Sequence, residues 1–265
     1  MLTGILAPDS GSVVVDNMNP LKNRMKYTKD IGVVFGQKTQ LWWDLPIVDT
    51  FDLLKSIYSI SNNDYKENLD VFNELLDLNS FINQPVRQLS LGQRMRADIA
   101  AALLHNPKCL FLDEPTIGLD VLAKDKIRKF IKYINSKKET TIIFTTHDLK
   151  DIEVSCSRVI MIDKGKIIYD GDTKEIKSIS HNNKSITIYF EDESSKINED
   201  IKNEHRFRNL IIDNEEDNKK VFRFNKEEID SWDLMRYLSS KYKILDFTVE
   251  DSSIEDTVKA YYEKN

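Results

Sequence analysis

An apolar run that ends in two adjacent acids is the feature that most constrains the fold of this sequence. Cys109–Leu112 has the composition of a short buried strand, and Asp113 and Glu114 follow it directly. A strand end is where an α/β sheet presents its ligand-binding groups. One carboxylate there can hold the Mg²⁺ of a nucleotide, and the next can activate an attacking water. The letters LDEP alone also fit a surface turn, but Gly118 and Asp120 extend them into a tight turn with a third carboxylate.

Up to about Asp172, short β-branched runs alternate with helical periods, which predicts an α/β sheet domain. The predicted strands are Ser12–Asp16, Ile31–Phe35, Cys109–Leu112, Thr141–Thr145 and Val159–Ile162. Between the second and third of these strands, residues 41–88 contain no convincing strand and indicate a helical insertion. Two helices are indicated by apolar residues at helical spacing. These residues are Leu69, Phe72, Leu75 and Leu76 in one helix, and Ile127, Phe130, Ile131 and Ile134 in the other.

Past Asp172 the chain becomes polar, and residues 173–184 are predicted to be a linker. Residues 185–265 then predict a small α+β domain. Its predicted strands are Ser185–Phe190, Leu210–Asp213, Lys220–Phe224 and Ile244–Val249, and its helices Glu227–Tyr242 and Ser253–Glu263. We therefore expect a first domain over 1–172, with a helical subdomain over about 41–105, and an accessory domain over 185–265.

A second informative segment, Gln88–Pro107, predicts a helix capped by Ser90, with Met95, Ile99 and Leu103 on one face. A helix that opens with Ser and Gly exposes backbone N–H groups that suit an anion. The same pattern also describes a capped amphipathic helix that binds nothing. Its position about twenty residues before Asp113 favours the first interpretation.

Two polar residues at other predicted strand ends complete the set. Gln37 follows the Ile31–Phe35 strand, and His147 follows the Thr141–Thr145 strand. Either residue alone is more often solvated or structural. Both belong to the sheet that carries Asp113 and Glu114, so a γ-phosphate at that edge could contact both of them.

Composition narrows the class of protein. The formal net charge is −6, whereas a nucleic-acid binder usually carries a basic stripe. Two cysteines imply no disulfide framework and fit a reducing compartment. No apolar run approaches the ~18–20 residues needed to span a bilayer, so we expect any link to a membrane to run through partner subunits.

Taken in order, these motifs resemble those of ATP-binding-cassette (ABC) ATPases. Gln37 is similar to the Q-loop of that family, Leu89–Gln93 (LSLGQ) to its signature, and CLFLDEP to its Walker B strand. Gly118–Asp120 (GLD) resembles the D-loop, and TTHD, ending at Asp148, the H-loop. The resemblance covers roughly 1–172 and implies a P-loop NTPase-type α/β core.

The resemblance also implies roles for these residues, with ATP and Mg²⁺ as cofactors. Asp113 would position Mg²⁺, with Gln37 sensing the ion and the attacking water, and Glu114 would be the general base. His147 would contact the γ-phosphate. The nucleotide would be shared with a second ABC ATPase subunit, in a homodimer or a heterodimer, through Ser90, Leu91, Gly92, Gln93 and Asp120.

Two departures from the family pattern matter. Leu91 stands where the usual signature has Gly, a variant similar to exporters related to drug- and antibiotic-resistance pumps. No G-x-x-x-x-G-K-[ST] occurs in the 265 residues. The opening MLTGILAPDSG resembles the segment just after that loop in the family, so we expect an N-terminal truncation after the loop. We also expect this chain by itself to bind ATP poorly and not to turn it over.

Three functions compete at this point. The first is a transport ATPase, peripheral on the inner face of the cell membrane, which energises integral membrane permease subunits. Trp42 and Trp43, just past Gln37, are candidates for the docking surface; the alternative is one core and one surface aromatic. The second is a soluble ABC ATPase that acts on ribosomes or DNA, although neither a second cassette nor a coiled coil is evident. The third is a non-catalytic fragment that completes the site of a partner.

Overall fold

The computed structural model describes residues 1–36, 38–176, 183–191, 196–216, 218–251 and 258. The chain divides into two compact units, Met1–Ser155 and Cys156–Asn265. The elements of the first unit are α1 (Arg24–Tyr27), β1 (Ile31–Val34), α2 (Ile47–Ile57), α3 (Asn62–Leu76), α4 (Leu91–Leu103), β2 (Cys109–Asp113), α5 (Val121–Lys137), β3 (Thr141–Thr145) and α6 (Leu149–Ser155). Within the described residues, no helix is both long and apolar enough to cross a bilayer.

Three parallel strands in the order β1-β2-β3 form the sheet of the first unit. The register pairs Ile31 with Cys109 and Cys109 with Thr141. Parallel neighbours need crossover connections, which are the helices α2 to α4 between β1 and β2, and α5 between β2 and β3. The carboxyl ends of all three strands therefore lie at one edge, as the sequence predicts.

Helix α4 is buried on nearly every side, not on one face only. Met95, Ile99 and Leu103 are buried as predicted, and so are all the residues between them, including the charged Arg96 and Asp98. The helix contacts β1, α2 and α5, and its three consecutive alanines at 100–102 allow this close packing. At the closest point, a Cβ built on Gly32 of β1 would lie 2.3 Å from the backbone oxygen of Ala102.

The other predicted helices of the first unit are confirmed. Ile127, Phe130, Ile131 and Ile134 of α5 are all buried, and the Phe130 ring meets Phe72 of α3 edge-on at 5.7 Å. Residues 41–88 contain no strand in their described structure, but α2, α3 and two short 3₁₀ turns, Leu78–Ser80 and Val86–Gln88. Ser61 begins α3 because its hydroxyl accepts a hydrogen bond from Asp64 N at 3.1 Å.

The second unit contains β4 (Arg158–Asp163), β5 (Lys166–Asp172), β6 (Asn183–Phe190), α7 (Ile197–Lys202), β7 (Ile211–Glu216), β8 (Lys219–Asn225), α8 (Ser231–Lys241) and β9 (Ile244–Asp251). An antiparallel sheet in the order β7-β8-β6-β9 is covered by helices through a core that includes Ile188, Phe222 and Leu234. The predicted strands of this region are confirmed with shifted ends. The predicted helix Glu227–Tyr242 begins only at Ser231, because Asp230 caps it by accepting from Trp232 N at 2.8 Å.

Several elements differ from the prediction. The strand Ser12–Asp16 is wrong, since only Val15 forms an isolated bridge, to Met18, across a turn in which Asp16 and Asn17 have positive φ. Strand β5 and helix α7 were not predicted. The hairpin β4–β5 has a two-residue turn with positive φ at Lys164 and Gly165. Gly165 was therefore the residue in the sequence that could have indicated this hairpin.

The hairpin β4–β5 also bears on the domain boundary. It groups with the second unit, whereas the sequence places it in a domain that extends to 172. Of the predicted linker, 173–176 are helical and 177–182 lie outside the described residues. The last predicted helix, Ser253–Glu263, also lies outside them except for residue 258. The bounds 1–172, 41–105, 173–184 and 185–265 therefore stay a prediction.

Candidate nucleotide site

Asp113 is the last residue of the central strand β2, and Thr145 is the last residue of the outer strand β3, both at the carboxyl edge of the sheet. They are direct partners in the β2–β3 register. The Thr145 hydroxyl donates a hydrogen bond to Asp113 Oδ1 at 2.7 Å. This bond fixes one carboxylate oxygen and orients the second away from β3. The sequence prediction that strand ends assemble the acidic residues is met at this edge.

Glu114 turns out of the sheet in a left-handed conformation, with φ of 47°. Its backbone N–H points back to β3, 3.2 Å from the Thr145 carbonyl oxygen and 3.1 Å from the Thr145 hydroxyl. The side chain reaches His147, whose Nδ1 lies 3.2 Å from Glu114 Oε1. Because an ionised carboxylate can only accept, the imidazole donates through Nδ1–H, which leaves Nε2 available to another partner.

The exposure of this pair suits a ligand site. The His147 side chain is 70% exposed and that of Glu114 is 37% exposed, so solvent or a ligand can reach both groups. The structure thus brings together Asp113, Glu114 and His147, which the sequence places in two segments about 30 residues apart. Gln37, the fourth residue predicted for this edge, lies outside the described residues.

The oxygen atoms at this edge fit Mg²⁺. The described residues contain no group of three or more His, Cys, Asp or Glu side chains that could hold a metal. Mg²⁺ commonly uses only one or two carboxylates together with substrate phosphates, and Asp113 offers such a carboxylate. Gly36 lies beside it, where even an added Cβ would stand 3.6 Å from Asp113 Oδ2. A Cβ at this distance would be in ordinary van der Waals contact with the oxygen, so position 36 borders Asp113 Oδ2 without overlapping it.

The signature segment begins α4 with a capping box. Ser90 Oγ accepts from Gln93 N at 3.2 Å, and Gln93 Oε1 accepts from Ser90 N at 2.9 Å. The predicted N-cap is therefore confirmed. The cap uses oxygen lone pairs only, so the Ser90 O–H and the Gln93 amide N–H₂ are still able to donate to an anion.

Leu91 and Gly92 pack against the segment that leads into α5. A Cβ on Gly118 would lie 3.2 Å from Leu91 Cδ2, and a Cβ on Gly92 would lie 3.1 Å from Ala123 Cβ. Asp120 caps α5, because its Oδ1 accepts from Ala123 N at 2.9 Å. The signature and the D-loop-like turn of the same chain are thus in direct contact, and the small residues at 92 and 118 permit it.

Asp98, in the middle of α4, is a residue that sequence reasoning missed. It is 4% exposed, and its Oδ1 accepts from the Thr39 hydroxyl at 2.9 Å and from Gln40 N at 3.0 Å. Burial raises the pKa of the Asp98 carboxyl to about 6 despite these two hydrogen bonds. The side chain therefore ties α4 to the segment that follows Gln37. An acid within the otherwise apolar run 97–103 was the only signal for it.

Asp98→Asn is expected to stabilise the chain in alkaline solution. The folded pKa of Asp98 exceeds the ~3.9 of an unfolded aspartate, so the free energy of unfolding falls as pH rises between these two values. Asparagine can still accept both hydrogen bonds on Oδ1 and carries no buried charge. We expect its free energy of unfolding to exceed that of the wild type by about 1–3 kcal/mol near pH 8, and the gain to vanish near pH 4.

Urea unfolding at both pH values measures this effect. Asp70→Asn, at an exposed position of α3, is the matched control and should change stability by less than about 0.5 kcal/mol. A loss of stability in Asp98→Asn at the higher pH would show that the ionised carboxylate is needed for the fold.

The two tryptophans past Gln37 are both exposed. Trp42 and Trp43 each retain 50% of their accessible surface, so the alternative of one core and one surface residue is wrong. Trp43 is held by Arg94, whose guanidinium carbon lies 5.6 Å from the ring centroid, and the Trp43 carbonyl accepts from Arg87 N at 3.0 Å. Two exposed tryptophans on an ordered segment form an apolar patch suited to a protein contact.

Comparison with known proteins points to one family. A family model described as "ABC transporter" matches residues 1–117. The ABC transporter ATP-binding protein NatA of Bacillus subtilis (strain 168) is 29% identical over 171 residues, which cover 64% of this chain and 69% of that protein. The chain spans 69%, 62% and 53% of the length of the first three curated relatives that it matches.

Solved structures give the same result. The structure of cbiO1 from Clostridium perfringens, described as part of the ABC transporter complex cbiONQ, superimposes with a TM-score of 0.57 at 30% identity, covering 67% of this chain and 72% of that one. The ATP-binding cassette MJ0796, solved as a dimer in a post-hydrolysis state with ADP and Pi, gives a TM-score of 0.54 at 28% identity, covering 62% and 74%.

The fold and the strand-end carboxylates define a P-loop-type α/β nucleotide-binding core, which confirms the predicted fold class. The chain belongs to the ABC transporter ATPase family. This is a family of ATP-binding ATPases that work as subunits of membrane transporters. The predicted resemblance is confirmed at that level.

Proposed function

We propose that this chain is the ATP-hydrolysing subunit of a membrane exporter. The observation that carries the proposal is the Asp113–Glu114–His147 group at the carboxyl edge of the parallel sheet, with its 3.2 Å Glu114–His147 contact. A general base must lie within hydrogen-bond reach of the proton that it takes, and an exposed carboxylate at a strand end is placed for this task.

Each side chain then has one task. Asp113 holds Mg²⁺, which when bound neutralises charge on the phosphates. Glu114 accepts a proton from the attacking water as the water oxygen bonds to the γ-phosphorus. The bond from the γ-phosphorus to the bridging oxygen breaks at the same time, and the electron pair of that bond stays on the β-phosphate oxygen of ADP. His147 orients Glu114 through Nδ1–H and, once protonated on both ring nitrogens, also donates from Nε2 to a γ-phosphate oxygen. By its resemblance to the Q-loop, Gln37 would sense the ion and the attacking water.

A second ABC ATPase subunit, identical or different, completes the site. Ser90 O–H, Gln93 N–H₂ and the first backbone N–H groups of α4 are donors suited to the phosphates of a nucleotide held by another subunit. Leu91 and Gly92 shape the same surface because they pack beside Gly118 and Ala123, and Asp120, which caps α5 at Ala123 N, lies between those two residues in the sequence. The dimeric state of the MJ0796 relative agrees with such an arrangement.

The β- and γ-phosphates also require cationic and amide donors. Asp113 and Glu114 are both acidic and would repel an unneutralised triphosphate, and the 265 residues contain no G-x-x-x-x-G-K-[ST]. These residues by themselves are therefore inactive. They need a phosphate-binding loop from outside the 265 residues to bind ATP tightly.

Trp42 and Trp43 form the docking surface for an integral membrane permease, near Gln37. Aromatic side chains anchor protein interfaces, and Arg94 holds the Trp43 ring in place. With such a partner, the chain would work in the cytoplasm, peripheral on the inner face of the membrane. Leu91 in the signature and the QLWWDLP segment favour export as the direction of transport, through their likeness to the exporter branch.

Purification of the tagged chain from detergent-solubilised membranes tests the function. We expect integral membrane proteins to co-purify and the assembly to bind Mg·ATP, whereas the isolated 265 residues bind it at millimolar concentrations or not at all. Trp42→Ala/Trp43→Ala should reduce recovery of the membrane proteins by about tenfold or more and leave Mg·ATP binding intact.

Trp232→Ala, which removes a tryptophan that is 75% exposed in the second unit, is the matched control and should keep the membrane proteins. Co-sedimentation with ribosomes in place of membrane proteins would refute the transport proposal. Micromolar binding of Mg·ATP by the isolated residues would refute the need for an outside loop.

A further inference from the structure

A buried carboxylate outside the proposed catalytic group connects three of its supporting segments. Asp151 lies in α6 and is 1% exposed. Its Oδ2 accepts from the Thr146 hydroxyl at 2.8 Å and from the Thr116 hydroxyl. Its Oδ1 accepts from Arg128 Nε at 2.6 Å, and Arg128 Nη2 also contacts it. Both carboxylate oxygens are thus fully used.

Two of the three partners of Asp151 are themselves buried, and Thr146 is half-buried. Thr116 is 3% exposed and Arg128 is 6% exposed. Removing a charge from water costs several kcal/mol unless opposite charge and hydrogen bonds compensate it, which here come from one guanidinium and two hydroxyls. Breaking such a network leaves a buried charge or hydroxyl unpaired, so the three segments are held in one arrangement.

Each partner belongs to a segment of the nucleotide site. Thr116 follows Glu114 by two residues, Thr146 directly precedes His147, and Arg128 lies on α5, which Asp120 caps. A second contact strengthens the link: Asp148 Oδ2 lies 2.7 Å from Lys124 Nζ and 3.2 Å from Arg128 Nη2. These ion pairs hold the pKa of Asp148 below its usual range. Helix α5 therefore contacts the segment around His147 at two acids, Asp148 and Asp151.

We propose that Asp151 is a positioning residue that sets the distance between His147 and Glu114. It contacts neither of them, but the hydroxyls on its Oδ2 belong to the segments that carry them. The observed 3.2 Å between His147 Nδ1 and Glu114 Oε1 depends on the relative position of these segments. The consequence for catalysis rests on the proposed function, whereas the positioning itself does not require ATP hydrolysis.

The direct test is the tautomer of His147 in the nucleotide-free chain, read from imidazole ¹⁵N shifts. The chain has four histidines, and His147→Asn assigns the signal. In the wild type the proton is expected on Nδ1, facing Glu114. In Asp151→Asn the new amide N–H₂ faces side chains that are themselves hydrogen-bond donors, so the segments should shift. The Nδ1–H tautomer should then make up about half or less of the neutral His147 side chains. An unchanged tautomer in the folded variant refutes the proposal.

Two further variants separate positioning from loss of stability. Thr146→Val removes the hydroxyl that donates to Asp151 Oδ2 and that also accepts from Asp148 N at 2.9 Å. It keeps the Asp151–Arg128 pair, so it should fold and shift the tautomer in the same direction. If Asp151→Asn does not fold, Thr146→Val provides the test in its place. An unchanged His147 tautomer in Thr146→Val refutes the proposal. Ile134→Val, in the α5 core, is the control that lowers stability and should leave the tautomer unchanged.

The complete ATPase assembly gives the second readout. Asp151→Asn and Thr146→Val should lower kcat by about 10- to 100-fold with KM nearly unchanged, because a misplaced catalytic group slows the chemical step. If the tautomer responds but the wild-type assembly hydrolyses no ATP, the proposed function fails and the positioning role stands. If the assembly is active and neither kcat nor the tautomer changes, the positioning role fails alone.

Discussion

Glu114→Gln should slow ATP hydrolysis by about 100- to 10,000-fold and leave Mg·ATP bound. Glutamine has the shape of glutamate and can still accept from His147 Nδ1–H, so the contact at 3.2 Å is expected to persist. It cannot take a proton from water at neutral pH. The loss should therefore appear in kcat, with the nucleotide trapped before the chemical step.

Steady-state ATPase assays and nucleotide-retention measurements on the complete assembly examine this result. Glu74→Gln, at an exposed position of α3, is the matched control and should keep the wild-type rate. If Glu114→Gln retains a rate within about twofold of the wild type, the base is another group and the proposed role of Glu114 is wrong.

Gly32→Ala is expected to destabilise the first unit by about 3 kcal/mol or more, because the new Cβ overlaps backbone. That atom would lie 2.3 Å from Ala102 O and 3.0 Å from Leu110 Cδ1. A side chain could rotate away, but the carbonyl belongs to α4, which is packed on several sides. Relief requires α4 to move away from β1, which opens the core at Ala102 and its neighbours.

Equilibrium urea unfolding measures this change. Gly11→Ala provides the comparison, since no atom lies within 4 Å of its added Cβ. Its cost is limited to the strain of a φ of 79°, about 1–2 kcal/mol. Equal losses in the two variants would mean that α4 adjusts freely and that the close approach to β1 is unimportant for stability.

The sequence predicted the edge of the sheet well, for a physical reason. Asp113, Glu114 and His147 each follow a short apolar run, and parallel pairing brings the ends of such runs to one side. Periodic apolar residues located α5 in the same way, since a helix with one buried face needs that spacing. These predictions use local chemistry and one rule of sheet topology.

Asp98 and Asp151 could not be predicted, because their roles depend on distant partners. The hydroxyl of Thr39 is 59 residues from Asp98, and that of Thr116 is 35 residues from Asp151. An acid in a helix is usually a solvated one, so the sequence alone favours that interpretation. Only the packing of α4 against several neighbours, and of α6 against α5, makes these carboxylates buried.

Strand β5 and the wrong strand Ser12–Asp16 have a common cause. Both segments carry apolar residues near Gly and Asp, and pairing decides which becomes a strand. Lys166–Asp172 finds a long antiparallel partner in β4, whereas Val15 finds only Met18. Intrinsic strand preference is weak compared with the availability of a neighbour.

The left-handed backbone at Glu114 has a consequence for how this position is selected. A non-glycine residue with φ of 47° costs on the order of 1 kcal/mol, and glycine or asparagine would adopt it more easily. A sequence optimised for thermal stability alone would therefore replace Glu114. Stabilising substitutions drawn from such an optimisation will tend to remove the carboxylate, so a thermostable design of this protein must hold residue 114 constant.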